Sequence, residues 1–276
     1  ISPEVLYSLY DKTIYSASMS ESRPLLTGIH HSIQKSTFKL VSTDSHRLSQ
    51  VIYDLDTELS EDISVTVPAE SLKELMKHLK GTNQLKVHFM DNQTIYELDD
   101  SLMYTRLIDG NYPVTDRLIP SAFTSEIQFK VQDLKDTFKR ALISNDENGV
   151  KFKAKPSLKQ VRVQTLENQN GKFTEDLIPY ETSGDDIQLG VNVRYLIDAL
   201  DHHPNDSVIR LQFVGQMKPF LIRTLNGDDR NLALILPIKM AVPDMQGEVI
   251  IDNFNGDYQE ELDLYEDEAE KFSEEK

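Results

Sequence analysis

Thr43, Asp44, Ser45 and His46 set a hydroxyl, a carboxylate and an imidazole side by side, the groups that nucleophilic hydrolysis uses. Adjacency argues against that use. Catalytic triads assemble from positions apart in sequence, and the chain has no Gly-x-Ser-x-Gly elbow, so no catalytic residue is assigned. The doublets His30-His31 and His202-His203 lack the i, i+4 spacing of helical metal ligands. They read as packing or surface histidines, and no metal site is expected. The chain contains no cysteine, which excludes disulfides, thiolate nucleophiles and cysteine-based zinc sites. No glycine-rich phosphate loop occurs, and around Asn255-Gly256-Asp257 the acidic first position of a calcium loop is Ile251. No cofactor is expected.

Positive charge is patterned rather than abundant. Lys73, Lys77 and Lys80 fall at i, i+4, i+7, and Lys135 and Lys139 repeat the spacing with Arg140 beside them, so two helices each collect cations on one side. That geometry tracks a phosphate backbone. An ordinary solvated face gives the same pattern, since Glu74 and Asp136 interleave. No helix-turn-helix or zinc finger is present to read bases. The net charge of −17 argues against nucleic acid as a partner, but residues 241–276 hold 13 Asp or Glu against Lys271 and Lys276, leaving only −6 on the first 240 residues. The acidity is concentrated in a tail, and low hydrophobicity with like charge predicts no independent fold from about Glu260.

The elements that must position these groups repeat. Ser2-Pro3-Glu4 predicts an N-cap and a helix of about 17 residues carrying Leu6, Leu9, Tyr10, Thr13 and Ala17 on one face. Alternating runs predict strands at 28–33, 37–42, 47–53 and 63–67. A helix from Pro68 to Leu79, closed by Gly81, is followed by strands at 85–90, 94–98 and 103–108. The order then recurs: a strand at 126–130, a helix at 131–143, strands at 150–153 and 160–164, a helix at 192–200, and strands at 208–213, 219–224 and 232–236. Val67-Pro68-Ala69-Glu70-Ser71-Leu72 aligns with Val191-Asn192-Val193-Arg194-Tyr195-Leu196, a period of roughly 120–130 residues. The expected fold is a duplicated α+β unit, with domains at 1–122 and 123–240 and the acidic tail at 241–276. At 276 residues and 39% hydrophobic, the chain can build both cores. No run approaches a membrane span of ~20 apolar residues, Ile1-Ser2-Pro3-Glu4 lacks the pattern of a signal peptide, and a cytoplasmic location is expected.

Five ordered motifs carry a family resemblance: Arg23-Pro24-Leu25-Leu26-Thr27-Gly28; Ser42 through Leu48; Asp109-Gly110-Asn111-Tyr112-Pro113 with Arg117-Leu118-Ile119-Pro120; Met217-Lys218-Pro219-Phe220; and Leu234-Ile235-Leu236-Pro237-Ile238. Over residues 1–240 the chain resembles the bacterial DNA polymerase III beta subunit, the replicative sliding clamp, in its low-GC Gram-positive form. Family members hold three copies of one α+β fold, and the two units here look like the second and third. The resemblance implies a non-enzymatic processivity factor, a ring with helices around a hole through which duplex DNA passes without sequence readout. Arg23, Lys73, Lys77, Lys80, Lys135, Lys139 and Arg140 would then face DNA. It also implies a peptide pocket formed by Leu26, Thr43, Ser45, His46, Arg47, Leu48, Pro113, Arg117, Leu118, Pro219, Leu234, Ile235, Leu236, Pro237 and Ile238. Polymerase, clamp loader and repair partners would fill it with motifs of the type Gln-Leu-Asp/Ser-Leu-Phe.

Two departures from the family pattern shape further expectations. Without a first domain, ordinary dimeric closure is not available, and either a monomeric fragment or a ring of three two-domain chains is expected. In the tail, Glu261-Leu262-Asp263-Leu264-Tyr265 resembles the partner motif itself, with Glu for Gln and Tyr for Phe. It could fill the pocket as an internal ligand, or form a frayed helix over the body. The alternative to a clamp is a soluble peptide-binding decoy that does not encircle DNA.

Overall fold

Ser2 opens helix α1 (Pro3–Ile14) by accepting a hydrogen bond from the Val5 backbone at 3.3 Å in the computed structural model of the chain, which describes residues 1–144, 148–166 and 171–239. Leu6, Leu9, Tyr10 and Thr13 are buried along one side of the helix. It is shorter than the spacing predicts because side chains take its terminal carbonyls: Ser49 Oγ donates to the Lys12 carbonyl at 2.5 Å, and Ser42 Oγ donates to that of Thr13. Ala17 is still buried, in the turn beyond the helix.

The first compact unit, Ile1–Pro113, continues through β1 (Gly28–Gln34), β2 (Thr37–Thr43), β3 (Arg47–Asp54), β4 (Ile63–Pro68), α2 (Ala69–Leu79), β5 (Leu85–Phe89), β6 (Gln93–Leu98) and β7 (Ser101–Arg106). Its strands form two antiparallel sheets, β4-β1-β2-β3 and β5-β6-β7. α1 packs on α2, and both bury their apolar sides with Ile29, Phe38, Leu40 and Val67 in one core. Gly81, at φ +91°, supplies the left-handed residue that ends α2.

The second unit begins at Val114. It contains β8 (Ser125–Lys130), α3 (Val131–Ser144), β9 (Gly149–Lys155), β10 (Gln160–Thr165), β11 (Thr174–Leu177), β12 (Glu181–Gly184), β13 (Ile187–Asn192), α4 (Val193–Asp201), β14 (Val208–Phe213), β15 (Phe220–Thr224) and β16 (Leu232–Ile235). The sheets run β12-β8-β14-β15-β16 and β11-β10-β9-β13, all antiparallel. Phe152 of one sheet stacks on Phe213 of the other at 5.9 Å, and Phe213 on Phe220 at 5.3 Å. α3 packs on α4. β9-β10-β11 with β13 therefore repeats β1-β2-β3 with β4, and the chain is a duplicated α+β fold as its sequence predicts.

Three strands, β11 to β13, were not expected from sequence. Acidic Thr174-Glu175-Asp176 reads as a loop, yet Asp176 is held by Arg162 across the β10–β11 ladder at 2.5 and 2.7 Å. β12 ends on Gly184, whose φ of +95° and contacts demand glycine: an added Cβ would lie 2.0 Å from the Thr124 carbonyl oxygen. Gly184→Ala should cost about 2–3 kcal/mol by combining a backbone clash with left-handed strain. Chemical denaturation of the variant checks this.

Candidate peptide-binding turn and basic helix faces

The hydroxyls of Thr43 and Ser45, the Asp44 carboxylate and the His46 imidazole lie in the β2–β3 hairpin, and the hydrogen bonds there are structural. Asp44 Oδ1 accepts from the backbone N–H of His46 at 2.9 Å and of Arg47 at 3.0 Å, while Oδ2 accepts from Arg47 Nε at 2.9 Å. This Asx turn holds Ser45 at φ 75°, a left-handed conformation that costs a non-glycine residue energy and must be held in place by its neighbours. Thr43 Oγ1 donates to the Arg47 carbonyl at 2.7 Å, and Arg23 donates to Ser45 Oγ at 3.3 Å. The Arg47 guanidinium lies 5.6 Å from the centre of the Tyr15 ring. No proton relay joins the three groups; the turn presents His46 to solvent and fixes Arg47 beneath it.

Leu26 and Leu48 are only 2% and 1% exposed, so they form the buried base of this hairpin region rather than its surface. Leu26 sits in a 3-10 turn, Pro24–Thr27, pinned by the Ser18 N–H on its carbonyl at 2.8 Å. Leu25 of that turn packs against Gly110, at φ +121°, where a Cβ would come within 3.0 Å of Leu25 Cδ1. The segment ending in Pro113 is anchored by Tyr112, whose ring stacks on His30 at 4.8 Å.

In the second unit, Arg117 is exposed and Leu118 half-buried in the 3-10 turn Asp116–Leu118. Leu234 and Ile235 are 2% and 1% exposed, paired with Leu221 and Phe220 in the sheet, and Pro219 and Pro237 are also buried. Leu236 and Ile238 remain half-buried, and the Ile238 N–H donates to the Gly190 carbonyl at 2.9 Å. The first unit also holds a cavity of about 460 Å³ lined by His30, Thr66, Asp91, Asp109 and Tyr112 among others. None of the predicted pocket residues lines it.

The basic faces are partly as expected. Lys73, Lys77 and Lys80 are exposed on α2, but Lys73 pairs with Glu70 and Lys77 with Glu74, each at 2.6 Å, and the Lys80 ammonium sits 5.0 Å from the Tyr7 ring centre. Hydrogen bonding to Lys77, then its charge, holds the Glu74 carboxyl below its usual range. On α3 the expectation fails for Lys135. Its residue is 7% exposed and its ammonium lies 2.6 Å from Asp201 Oδ1 and 3.3 Å from Asn205 Oδ1, so it braces α3 against the end of α4. A cation engaged there is closed to phosphate. Lys139 is exposed, and Arg140 is held bidentately by Glu175 at 2.6 and 2.9 Å.

Sequence reading missed the roles of Asp44 and Tyr15, which set the turn and the Arg47 side chain. An Asp two residues before a backbone N–H it can cap was the available signal. The proposed internal ligand, Glu261, Leu262, Asp263, Leu264 and Tyr265, and the whole acidic tail at 241–276 lie outside the described residues. Among the described residues no cluster of His, Asp and Glu is placed to hold a metal, and no helix is long and apolar enough to cross a membrane.

Two tandem units, each with a helix pair against antiparallel sheets, define a protein of the DNA-clamp fold. Residues 1–114 match the family model of the DNA polymerase III beta subunit, central domain, and residues 116–239 that of its C-terminal domain. The beta sliding clamp of Streptococcus pneumoniae is 34% identical over 86% of this chain and 63% of its own length. That of Bacillus subtilis is 32% identical over 87% of this chain and 64% of its own. The crystal structure of the Bacillus subtilis DNA polymerase sliding clamp superposes with a TM-score of 0.82 at 32% identity, covering 87% of this chain and 63% of that one. The chain belongs to the DNA polymerase III beta subunit family, and spans less than two thirds of the length of these relatives.

Proposed function

We propose that the chain serves as a DNA sliding clamp, a non-enzymatic accessory subunit that tethers a replicative polymerase to duplex DNA in the cytoplasm, at the nucleoid. The observation that carries this reading is the match of both units, in order, to the central and C-terminal domains of one family. Named clamps among the relatives favour it over a decoy that binds partners without DNA. Exposed lysines on α2 and α3 would hold phosphates without reading bases, which permits sliding, and tethering raises the local concentration of the polymerase.

Partners would bind through short motifs at residues contributed by each unit. Ser45, His46, Arg47 and Pro113 present the first set over the buried Leu26, Thr43 and Leu48; Arg117, Leu118, Leu236 and Ile238 present the second over the buried Pro219, Leu234, Ile235 and Pro237. The rigid Asx turn lowers the ordering cost of binding on the first side. Fluorescence anisotropy with a labelled Gln-Leu-Asp-Leu-Phe peptide tests the role. Saturable binding is expected, and Arg47→Ala should weaken it at least tenfold because the turn loses both its ion pair and its stacked cation. Binding equal to that of a scrambled peptide would refute it. Glu261–Tyr265 acts, on the same reading, as an internal competitor. A chain ending at Met240 should bind the labelled peptide more tightly than the intact chain, and equal affinities would dispose of the competitor.

A further inference from the structure

The second unit carries a basic surface that neither the peptide role nor the DNA role uses. β9 alternates strictly: Val150, Phe152 and Ala154 are buried, while Lys151, Lys153 and Lys155 line the opposite face. The strands beside it add little to neutralise them. Across the ladder, Lys153 faces Arg162 of β10 and Gln188 of β13, and Lys151 faces Gln164 and Gly190. Asp176 of β11 is the carboxylate on this face of the ladder, and Arg162 already holds it at 2.5 and 2.7 Å. Lys172 adds to the crowding: burial first, then the charges of Lys153 and Lys172, lowers the affinity of the Lys151 amine for its proton. A run of like charges along one strand face is unfavourable unless a counter-charge offsets it.

The chain itself brings one. Ile238 bridges Gly190 on the free edge of β13, and Gly190 pairs with Lys151 on the other side. At ~4.8 Å per strand, the backbone leaves the described structure about 10 Å from the first lysine of the row. Beyond that exit lies the most acidic part of the sequence, residues 241–276, with seven Asp or Glu between Glu260 and Glu270. The lysine row extends over about 14 Å, well within the reach of some 20 residues of chain.

We propose that the lysine face of β9 receives the acidic segment after Lys239 of the same chain. Held there at an effective concentration of the order of millimolar, the segment excludes other polyanions from this sheet and leaves the helix lysines as the chain's exposed phosphate-binding charge; while seated there it is withdrawn from the peptide site, so occupancy of the sheet and competition by Glu261–Tyr265 are mutually exclusive states of one tail. Complementary charge and the exit point beside Gly190 favour this occupant over nucleic acid.

Zero-length carbodiimide coupling of the intact chain at low salt tests it, with the linked peptides read by mass spectrometry. Links from carboxylates of residues 244–275 to Lys151, Lys153 and Lys155 within single molecules are expected, falling severalfold at ~0.5 M salt. They should vanish in the Lys151→Gln, Lys153→Gln, Lys155→Gln variant while its thermal unfolding stays unchanged. Three results would overturn the proposal: absence of these links at low salt, links confined to pairs of molecules, or links directed mainly to Lys73, Lys77, Lys80 or Lys139. Protection of the three lysines from acetylation by a 20-base-pair DNA duplex in the intact chain would also overturn it, assigning the face to nucleic acid.

Discussion

Replacing Lys73, Lys77 and Lys80 together by glutamate should lower the affinity for duplex DNA by two to three orders of magnitude at ~0.1 M salt. Each phosphate contact contributes about 0.9 to the slope of log K against log salt, so three contacts account for about 2.7 decades between 0.1 and 1 M. The ion pairs with Glu70 and Glu74 do not protect the lysines from this role. Both pairs are solvent-exposed, and exposed pairs are worth about 0–1 kcal/mol, less than a phosphate contact with counterion release offers. Lys135 is the internal control. Lys135→Met should leave the salt slope unchanged, since its ammonium is engaged with Asp201 and Asn205, while lowering the stability of the second unit. Filter binding across a salt series separates the two variants.

The second large effect is on stability in mild acid. His31 is fully buried at the centre of the first unit, and its neutral ring is satisfied at both nitrogens: Nδ1–H donates to the Ile29 carbonyl at 2.9 Å, and Nε2 accepts from the Tyr10 hydroxyl at 3.0 Å. Tyr10 in turn lies 3.3 Å from the Tyr96 hydroxyl. Phe38 and Phe89 close the ring in, with no carboxylate among these contacts. Burial therefore lowers the His31 pKa to about 3, with the neighbouring His30 opposing protonation further. The folded value lies below the unfolded ~6.5, so the unfolded chain binds the proton first. The contribution is complete above pH ~6.5 and is lost as pH falls toward 3, at about 1.4 kcal/mol per unit and some 4–5 kcal/mol in all. His30, lowered to about 4 mainly by burial, acts in the same direction. Denaturant midpoints between pH 7 and 4.5 should fall steeply. His31→Gln keeps an acceptor for Tyr10 and should flatten much of that slope; an unchanged slope would place the titration elsewhere.

Much of this fold was legible in the residues because its patterns are local. The helix start at Ser2-Pro3, the left-handed stop at Gly81 and the alternation in β1 to β4 are each set by neighbours within a few positions. β13 carries the same local alternation in Ile187, Leu189 and Val191, although the sequence reading assigns no element between 164 and the helix at 192. β11 was not legible, because its acidic residues are stabilised by Arg162 and Arg140, partners 14 and 35 positions away. Lys135 shows the same limit at the site. Helical spacing places it among the cations of α3, but whether it meets solvent depends on where Asp201 falls, which spacing along one helix does not encode. The Thr43–Leu48 turn lies between these cases: its residue types suggest polar chemistry, and the Asp44 hydrogen bonds show that these groups are tied up in holding the turn.

Retention on circular DNA tests the central claim most directly. Loaded by a clamp loader onto nicked circular plasmid and passed over a sizing column at ~0.3 M salt, the chain, as part of its assembled ring, should co-elute with the circle and be released when one restriction cut linearises it. Equal retention on circular and linear DNA, or none on either, would contradict a sliding clamp.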